Sequence, residues 1–207
     1  MEGERTPPER IRITGLQEAQ LAALLDIEQA SAAMYRDLGV DEAGWPARTV
    51  TEIIALTRDH DVLVAEADHQ VAGYLAWRDE PPGVAFITQL AVHPDYQRFG
   101  VGARLLEALL EAALRCGLHH AAGRLRERAP WALGFSRRAG FRPLGEEAPE
   151  PVRRWRDERE ASGESPLIRP GEILVWLPIT ALVSETDEAG DEPVGDDAPT
   201  PDMVSGS

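Results

Sequence analysis

Residues 87–106 read Ile-Thr-Gln-Leu-Ala-Val-His-Pro-Asp-Tyr-Gln-Arg-Phe-Gly-Val-Gly-Ala-Arg-Leu-Leu, and no other stretch restricts the fold as much. An apolar run stops at Pro94, a short loop follows, and Gly100 and Gly102 open a long amphipathic pattern. Proline cannot donate to a sheet ladder, so a strand over 84–92 ends there. The first turn of a helix carries unpaired N–H groups and a partial positive charge. Glycines at its mouth remove side chains where an anion must approach the backbone. The junction therefore predicts a pyrophosphate site between a strand and a helix.

The rest of the chain supplies a mixed set of elements. Residues 11–13 read as a short strand, 16–37 and 49–59 as helices, and 61–67 and 70–77 as strands around Asp68-His69. That last pair is a hairpin signal without the favoured glycine. Gly39 and Gly44-Trp45-Pro46 punctuate a loop. Residues 102–116 form the clearest helix: Leu105, Leu106, Leu109, Leu110, Ala113 and Leu114 share one face, and Gly117 stops it. A strand at 119–125, a helix at 130–139, an extended piece at 141–145, a charged helix at 151–162 and a strand at 173–179 complete the pattern. Consecutive strands mixed with helices predict an α/β (α+β) sandwich, a mostly antiparallel sheet with helices on both faces.

Three phosphate-binding schemes compete for the glycines. A P-loop needs Gly-Lys-Ser/Thr, and the chain has no lysine. A dinucleotide fingerprint needs a third glycine, where Leu105 stands, and an acid ending a following strand. The scheme that remains is Gln/Arg-x-x-Gly-x-Gly/Ala, present as Gln97-Arg-Phe-Gly100-Val-Gly102. On these residues the chain resembles the GCN5-related N-acetyltransferase (GNAT) superfamily. Leu90-Ala-Val92-His-Pro94 before the motif and Leu105-Leu106 after it are similar to the family's strand–loop–helix. Ala129-Pro-Trp131 and Phe135-Ser-Arg-Arg-Ala-Gly-Phe141 resemble its second conserved region, and the likeness spans roughly residues 11–180.

The resemblance implies a mixed sheet of about six to seven strands, with the fourth and fifth splayed apart, and acetyl-CoA as acyl donor. It places the pantetheine arm against Leu90, Ala91 and Val92, and the pyrophosphate on Gln97, Arg98, Phe99, Gly100, Val101, Gly102 and Ala103. It makes the Val92 N–H the oxyanion donor, worth roughly 3–4 kcal/mol, puts Ser136 beside the coenzyme sulfur, and has an amine attack directly. No metal is implied. Dimers are common in the family, which allows a homodimer.

Two positions depart from the family pattern. Many members carry an acid just before the strand leucine as general base; this chain has Gln89. Many carry a tyrosine after the helix phenylalanine as general acid; this chain has Ser136. The losses are unequal. A thiol with a pKa near 8.5 leaves tolerably as thiolate, whereas a lysine-like amine is only about one part in a thousand neutral near pH 7.4, a penalty of roughly 4 kcal/mol. Glu28 on the first helix is the candidate replacement base, against its ordinary reading as an exposed carboxylate. Tyr35, Asp37 and His93 are weaker candidates. Trp45, Trp77, Trp131, Trp155 and Trp176 either wall an acceptor cavity or pack the core, and Arg153-Arg154-Trp155-Arg156 either covers the acceptor mouth or is a solvated face. These departures keep open a second reading, a catalytically weak or inactive acyl-CoA-binding sensor.

Charge and composition limit the setting. The 207 residues carry a formal charge of −15. Residues 184–207 hold eight acids and no base, too little apolar surface to offset ordering entropy, so a flexible lead-in (1–9), one domain (10–182) and an acidic disordered tail (183–207) are expected. Strong acidity excludes a nucleic-acid face. No apolar run spans a bilayer and no signal segment begins the chain, which points to the cytoplasm. All 21 basic residues are arginine, a composition suggesting a GC-rich bacterial genome. Cys116, the single cysteine, excludes an internal disulfide and reads as small and buried.

Overall fold

A computed structural model describes residues 7–37, 47–163 and 167–179. The side chain of Asp37, the loop with Gly39, Trp45 and Pro46, most of the N-terminal lead-in and the acidic tail lie outside the described residues.

The strands are β1 (Ile11–Gly15), β2 (Asp61–Ala67), β3 (Gln70–Glu80), β4 (Val84–Val92), β5 (His120–Arg126), β6 (Arg142–Pro143) and β7 (Glu172–Pro178). The helices are α1 (Leu21–Asp37), α2 (Val50–Asp59), α3 (Val101–Arg115), α4 (Pro130–Arg138) and α5 (Glu150–Ser162). The strands form one sheet in the order β1-β2-β3-β4-β5-β7-β6. Only β4 and β5 run parallel; the other neighbours are antiparallel. The expected mixed sheet with helices on both faces is what the chain forms.

The faces follow from alternation along the strands. Leu75, Trp77, Ala85 and Ala121 point to one side and meet the stripe Leu105, Leu106, Leu109, Leu110 and Ala113 of α3. Val62, Val64, Tyr74 and Ala76 point to the other and meet Leu24 and Ile27 of α1 and Ile53 and Leu56 of α2. Further along that second face, Val84, Phe86 and Ala122 pack against Val152 and Trp155 of α5.

Local chemistry explains the boundaries. Thr49 caps α2 through a reciprocal pair: its hydroxyl accepts from the Glu52 N–H, and the Glu52 carboxylate accepts from the Thr49 N–H at 2.7 Å. α3 ends at Gly117 in the left-handed conformation, with Leu118 N–H donating to Ala113 C=O and Gly117 N–H to Leu114 C=O, both at 2.9 Å. The β2–β3 hairpin forms without glycine because Asp68 and His69 both adopt positive φ.

Several details differ from the sequence reading. The segment before α1 is a 3-10 turn, Glu18–Gln20, so the helix starts later than residue 16. The piece at 141–145 pairs over only two residues. Cys116 is exposed, not buried, because it caps the C-terminus of α3, where the helix leaves the core.

Candidate active site

A bulge in β4 creates the site. Gln89 pairs with Ala76 and Ile87 with Trp77, so Thr88 is an extra residue without a β3 partner. One inserted residue reverses the facing of everything beyond it. Strict alternation from Phe86 would turn Gln89 toward α3; the bulge turns it toward α1. At the same point pairing with β5 ends, the last partners being Ile87 and Gly123. β4 and β5 then diverge, as the family resemblance implies.

The amides on the open lip can be assigned from the ladder. The His93 N–H donates to Ala72 C=O of the β2–β3 hairpin at 2.9 Å. In a strand the polar groups of successive residues point to opposite sides. The N–H groups of Val92 and Leu90 therefore face the gap. Ala91 does not share this role: it pairs with Tyr74, and its side chain is buried under α1. The Val92 carbonyl accepts from Gln97 Nε2 at 3.0 Å.

The loop beyond is backbone-built. His93 Nδ1 accepts from the Asp95 N–H at 3.3 Å and caps the turn Pro94–Tyr96, which commits its ring to the loop and not to the gap. Arg98 and Gly100 have φ of 70° and 83°. The first intrahelical bond of α3 runs from the Arg104 N–H to Gly100 C=O at 3.0 Å, leaving the N–H groups of Val101, Gly102 and Ala103 ahead of it. A Cβ on Gly100 would meet nothing within 4 Å, so the space over this turn is open to a phosphate. Gly102 differs: a Cβ there would stand 3.4 Å from Phe135 and 3.7 Å from Val92, ordinary contacts, so it faces packed side chains and not open space. The Gln97 side-chain amide is turned away from the helix mouth: it donates to the Val92 carbonyl and also reaches Met34 Sδ at 3.3 Å. The Val101 side chain is in the core, and Phe99 is half-buried.

On the opposite face, side chains make the site. Glu28 is 1% exposed, which overturns its reading as a surface carboxylate. Its Oε1 accepts from the Tyr74 hydroxyl and from Gln89 Nε2 at 2.7 Å. Its Oε2 faces Arg48 Nε at 4.0 Å, and Arg48 Nη2 reaches Gln89 Oε1 at 3.4 Å. Burial, and then the Glu28 charge, push the Tyr74 phenol well above its ordinary range, so it remains a donor. Glu28 and Gln89 are 61 residues apart in sequence. Tyr74 and Arg48 escaped the sequence reading because nothing local marks either as a carboxylate partner.

The tips of α1 and α4 meet over the same region, with the rings of Tyr35 and Trp131 5.2 Å apart. Burial raises the Tyr35 phenol pKa. Ser136 is 4% exposed and follows Phe135, the ring lying against Gly102. Of the described tryptophans, only Trp131 borders this region; Trp77, Trp155 and Trp176 are core. Trp155 Nε1 donates to buried Glu80 at 2.6 Å, while Arg154 pairs with Glu158 and Arg156 with Asp157, so that arginine run is a solvated helix face.

Solved structures share this architecture. The ribosomal-protein-S18-alanine N-acetyltransferase of Escherichia coli superposes with a TM-score of 0.58 at 18% identity, covering 92% of this chain and all of its own. The PaiA N-acetyltransferase of Thermoplasma acidophilum, in complex with coenzyme A, gives 0.60 at 14% identity over 82% of this chain and 99% of its own. YncA of Salmonella typhimurium, with its cofactor acetyl-CoA, gives 0.56 at 18% identity over 91% and 99%. At such identities the likeness shows the fold, which is that of the acetyltransferases. No curated protein matches the chain by sequence. The pattern of the Acetyltransferase (GNAT) family matches residues 21–141, more than half the chain, and the chain belongs to that family.

Proposed function

We propose that this acetyltransferase moves the acetyl group of acetyl-CoA to a primary amine of a small molecule or protein by direct attack, with Glu28 as general base. The observation that carries the reading is the buried Glu28 carboxylate, 2.7 Å from Gln89 on the diverging half of β4. The acid missing from β4 is replaced, from α1, by one at hydrogen-bond distance. Oε1 is held by two donors, so Oε2 is the oxygen that takes the amine proton. A positioned base contributes typically about 10²–10⁴-fold, the scale of the deprotonation penalty.

The donor side fits the same reading. The amides from Arg98 to Ala103 would hold the pyrophosphate, and the Leu90 backbone would hold the pantetheine arm. The Val92 N–H would polarise the thioester carbonyl, with Ser136 beside the sulfur. No acid is needed at Ser136, because a thiolate is a tolerable leaving group. A sensor without turnover is disfavoured, since such a module has no need of a buried carboxylate beside the gap.

The test is thiol release from acetyl-CoA across an amine panel. Glu28→Gln lowers kcat/KM about 10²-fold or more and shifts the remaining activity to higher pH, where the amine is neutral without help. The double exchange Glu28→Gln with Gln89→Glu returns the carboxylate to β4 and recovers much of the rate. Tight acetyl-CoA binding with no turnover on any amine would refute catalysis.

The proposal takes 10–182 as the catalytic domain of a cytoplasmic bacterial protein, with 1–9 and 183–207 outside it. The lysine-free composition supports the source, and no helix among the described residues is long and apolar enough to cross a membrane. Deleting 183–207 leaves the melting midpoint unchanged if that boundary is right.

A further inference from the structure

Among the described residues, three arginines on the proposed acceptor face lie against carboxylates and a fourth does not. Arg48 faces Glu28 at 4.0 Å, Arg126 faces Glu172 at 3.8 Å, and Arg159 faces Glu80 at 3.2 Å. Arg124 is half-buried among them, yet among the described residues it makes no ion pair and no hydrogen bond; its guanidinium lies over the Phe86 ring, 5.6 Å from the centroid. It is the first β5 residue beyond the last β4 partner, so it stands on the lip of the gap. Alternation puts it on the face of Ala122, the side of α1 and α5. Burial and the nearby charges of Arg169, Arg48 and Arg159 depress its pKa, and Glu172 only partly offsets them.

Across the lip is a second unmet group. Thr88 follows Ile87, the partner of Gly123, just as Arg124 follows Gly123. Its Oγ1 is buried and makes no hydrogen bond among the described residues. A half-buried guanidinium without an ion pair and a buried hydroxyl without a hydrogen bond both leave a favourable interaction unmade. A single bound anion would relieve both. A planar guanidinium fork matches a carboxylate with two parallel hydrogen bonds, and a single guanidinium with no ion pair of its own suits a monoanion.

We infer that the acceptor is a small amine bearing a carboxylate, held by the Arg124 guanidinium and the Thr88 hydroxyl while its amino group lies toward Glu28. This rests on the acetyl-transfer reading above and narrows it to a substrate class.

The experiment compares amino acids with their own amides, and adds O-phosphoethanolamine as a dianionic amine. Acetyl-CoA affinity is measured on every variant by calorimetry. The wild type prefers the carboxylate member by at least about tenfold in kcat/KM, although the amide has the less basic and intrinsically readier amine. Arg124→Gln collapses that ratio toward one, mainly through a raised KM for the carboxylate member. Arg124→Lys, which keeps the charge and loses the fork, leaves an intermediate ratio. Direct calorimetry of the preferred amino acid on the coenzyme A complex shows the same order. Equal rates for acids and amides, a preference for the phosphorylated amine, or a ratio unmoved by Arg124→Gln in a folded, coenzyme-binding variant would overturn the inference while sparing acetyl transfer. Failure of acetyl-CoA to bind the wild type would instead remove the reading beneath it.

Discussion

The two sides of β4 are built in opposite ways. Toward the coenzyme, the groups on offer are backbone: the Val92 amide on the open lip and the unpaired N–H groups at the start of α3. They come from one continuous stretch of chain. Toward the proposed acceptor, the groups are side chains drawn from α1, β3, β4, β5 and the segment before α2: Glu28, Tyr74, Gln89, Arg124 and Arg48. A backbone site needs only correct dihedrals and small residues, so it tolerates variation in its surroundings. A buried charge network needs every member in place. On the proposed reading the backbone side would suit a fixed, common coenzyme, and the side-chain side would set specificity.

Substitutions can break that contrast. The largest effect is expected from Gly100→Glu. It forces a side chain onto a φ of 83° and sets a negative charge where phosphate belongs. Coenzyme affinity by calorimetry should fall at least about a hundredfold, while the melting midpoint moves little. An unchanged affinity would refute the site.

Glu80→Ala tests the charged side at the level of folding. Glu80 is buried, accepts from Trp155, and is met by Arg78 and Arg159. Removing one partner of such a cluster costs about 3–5 kcal/mol, visible as a lower urea midpoint. A loss below about 1 kcal/mol would show that the arginines are solvated instead.

Tyr74→Phe removes one of two donors to the same Glu28 oxygen. A hydrogen bond to a charged group contributes about 1.5–3 kcal/mol, so stability should fall by that order while acetyl-CoA affinity holds. A matching loss of coenzyme affinity would mean the two sides are coupled and not separate.

Gly102→Ala should be milder than any change at Gly100, since the added Cβ meets Phe135 and Val92 at ordinary contact. Coenzyme affinity should change by less than about threefold; a collapse like that of Gly100→Glu would erase the distinction between the two glycines.

The smallest effect is a control outside both sides. Thr49→Ala removes the α2 cap, at about 1 kcal/mol. The Thr49 N–H and hydroxyl hold the Glu52 pKa below its ordinary value. A depressed carboxylate stabilises the fold above its unfolded pKa, and that contribution disappears as pH falls through the folded one. The melting difference between Thr49→Ala and wild type should therefore shrink between pH 6 and pH 3. A difference constant across that range would show that the Thr49 hydroxyl adds nothing to the hold on the Glu52 carboxylate.

How much was legible follows from how local each feature is. The strand, the proline stop, the two glycines and the α3 stripe lie within one run of residues, so periodicity and turn chemistry expose them directly. The family likeness then carried the sheet topology and the gap. The Glu28 network was only half visible: residue type made Glu28 a candidate, but its burial depended on Tyr74 and Gln89 arriving from other strands. The motif position of Gln97 was visible in the sequence, but the contact of its side chain with the Val92 carbonyl was not.

What the sequence determined by itself is the turn proposed to bind phosphate, because a left-handed Gly100 and a helix start are properties of neighbouring residues. What tertiary structure decided is which way β4 faces beyond Ile87. The Thr88 bulge arises from register against β3, and register is a relation between strands. That one inserted residue turns Gln89 toward Glu28, opens the lip beside Gly123, and sets Arg124 at its edge.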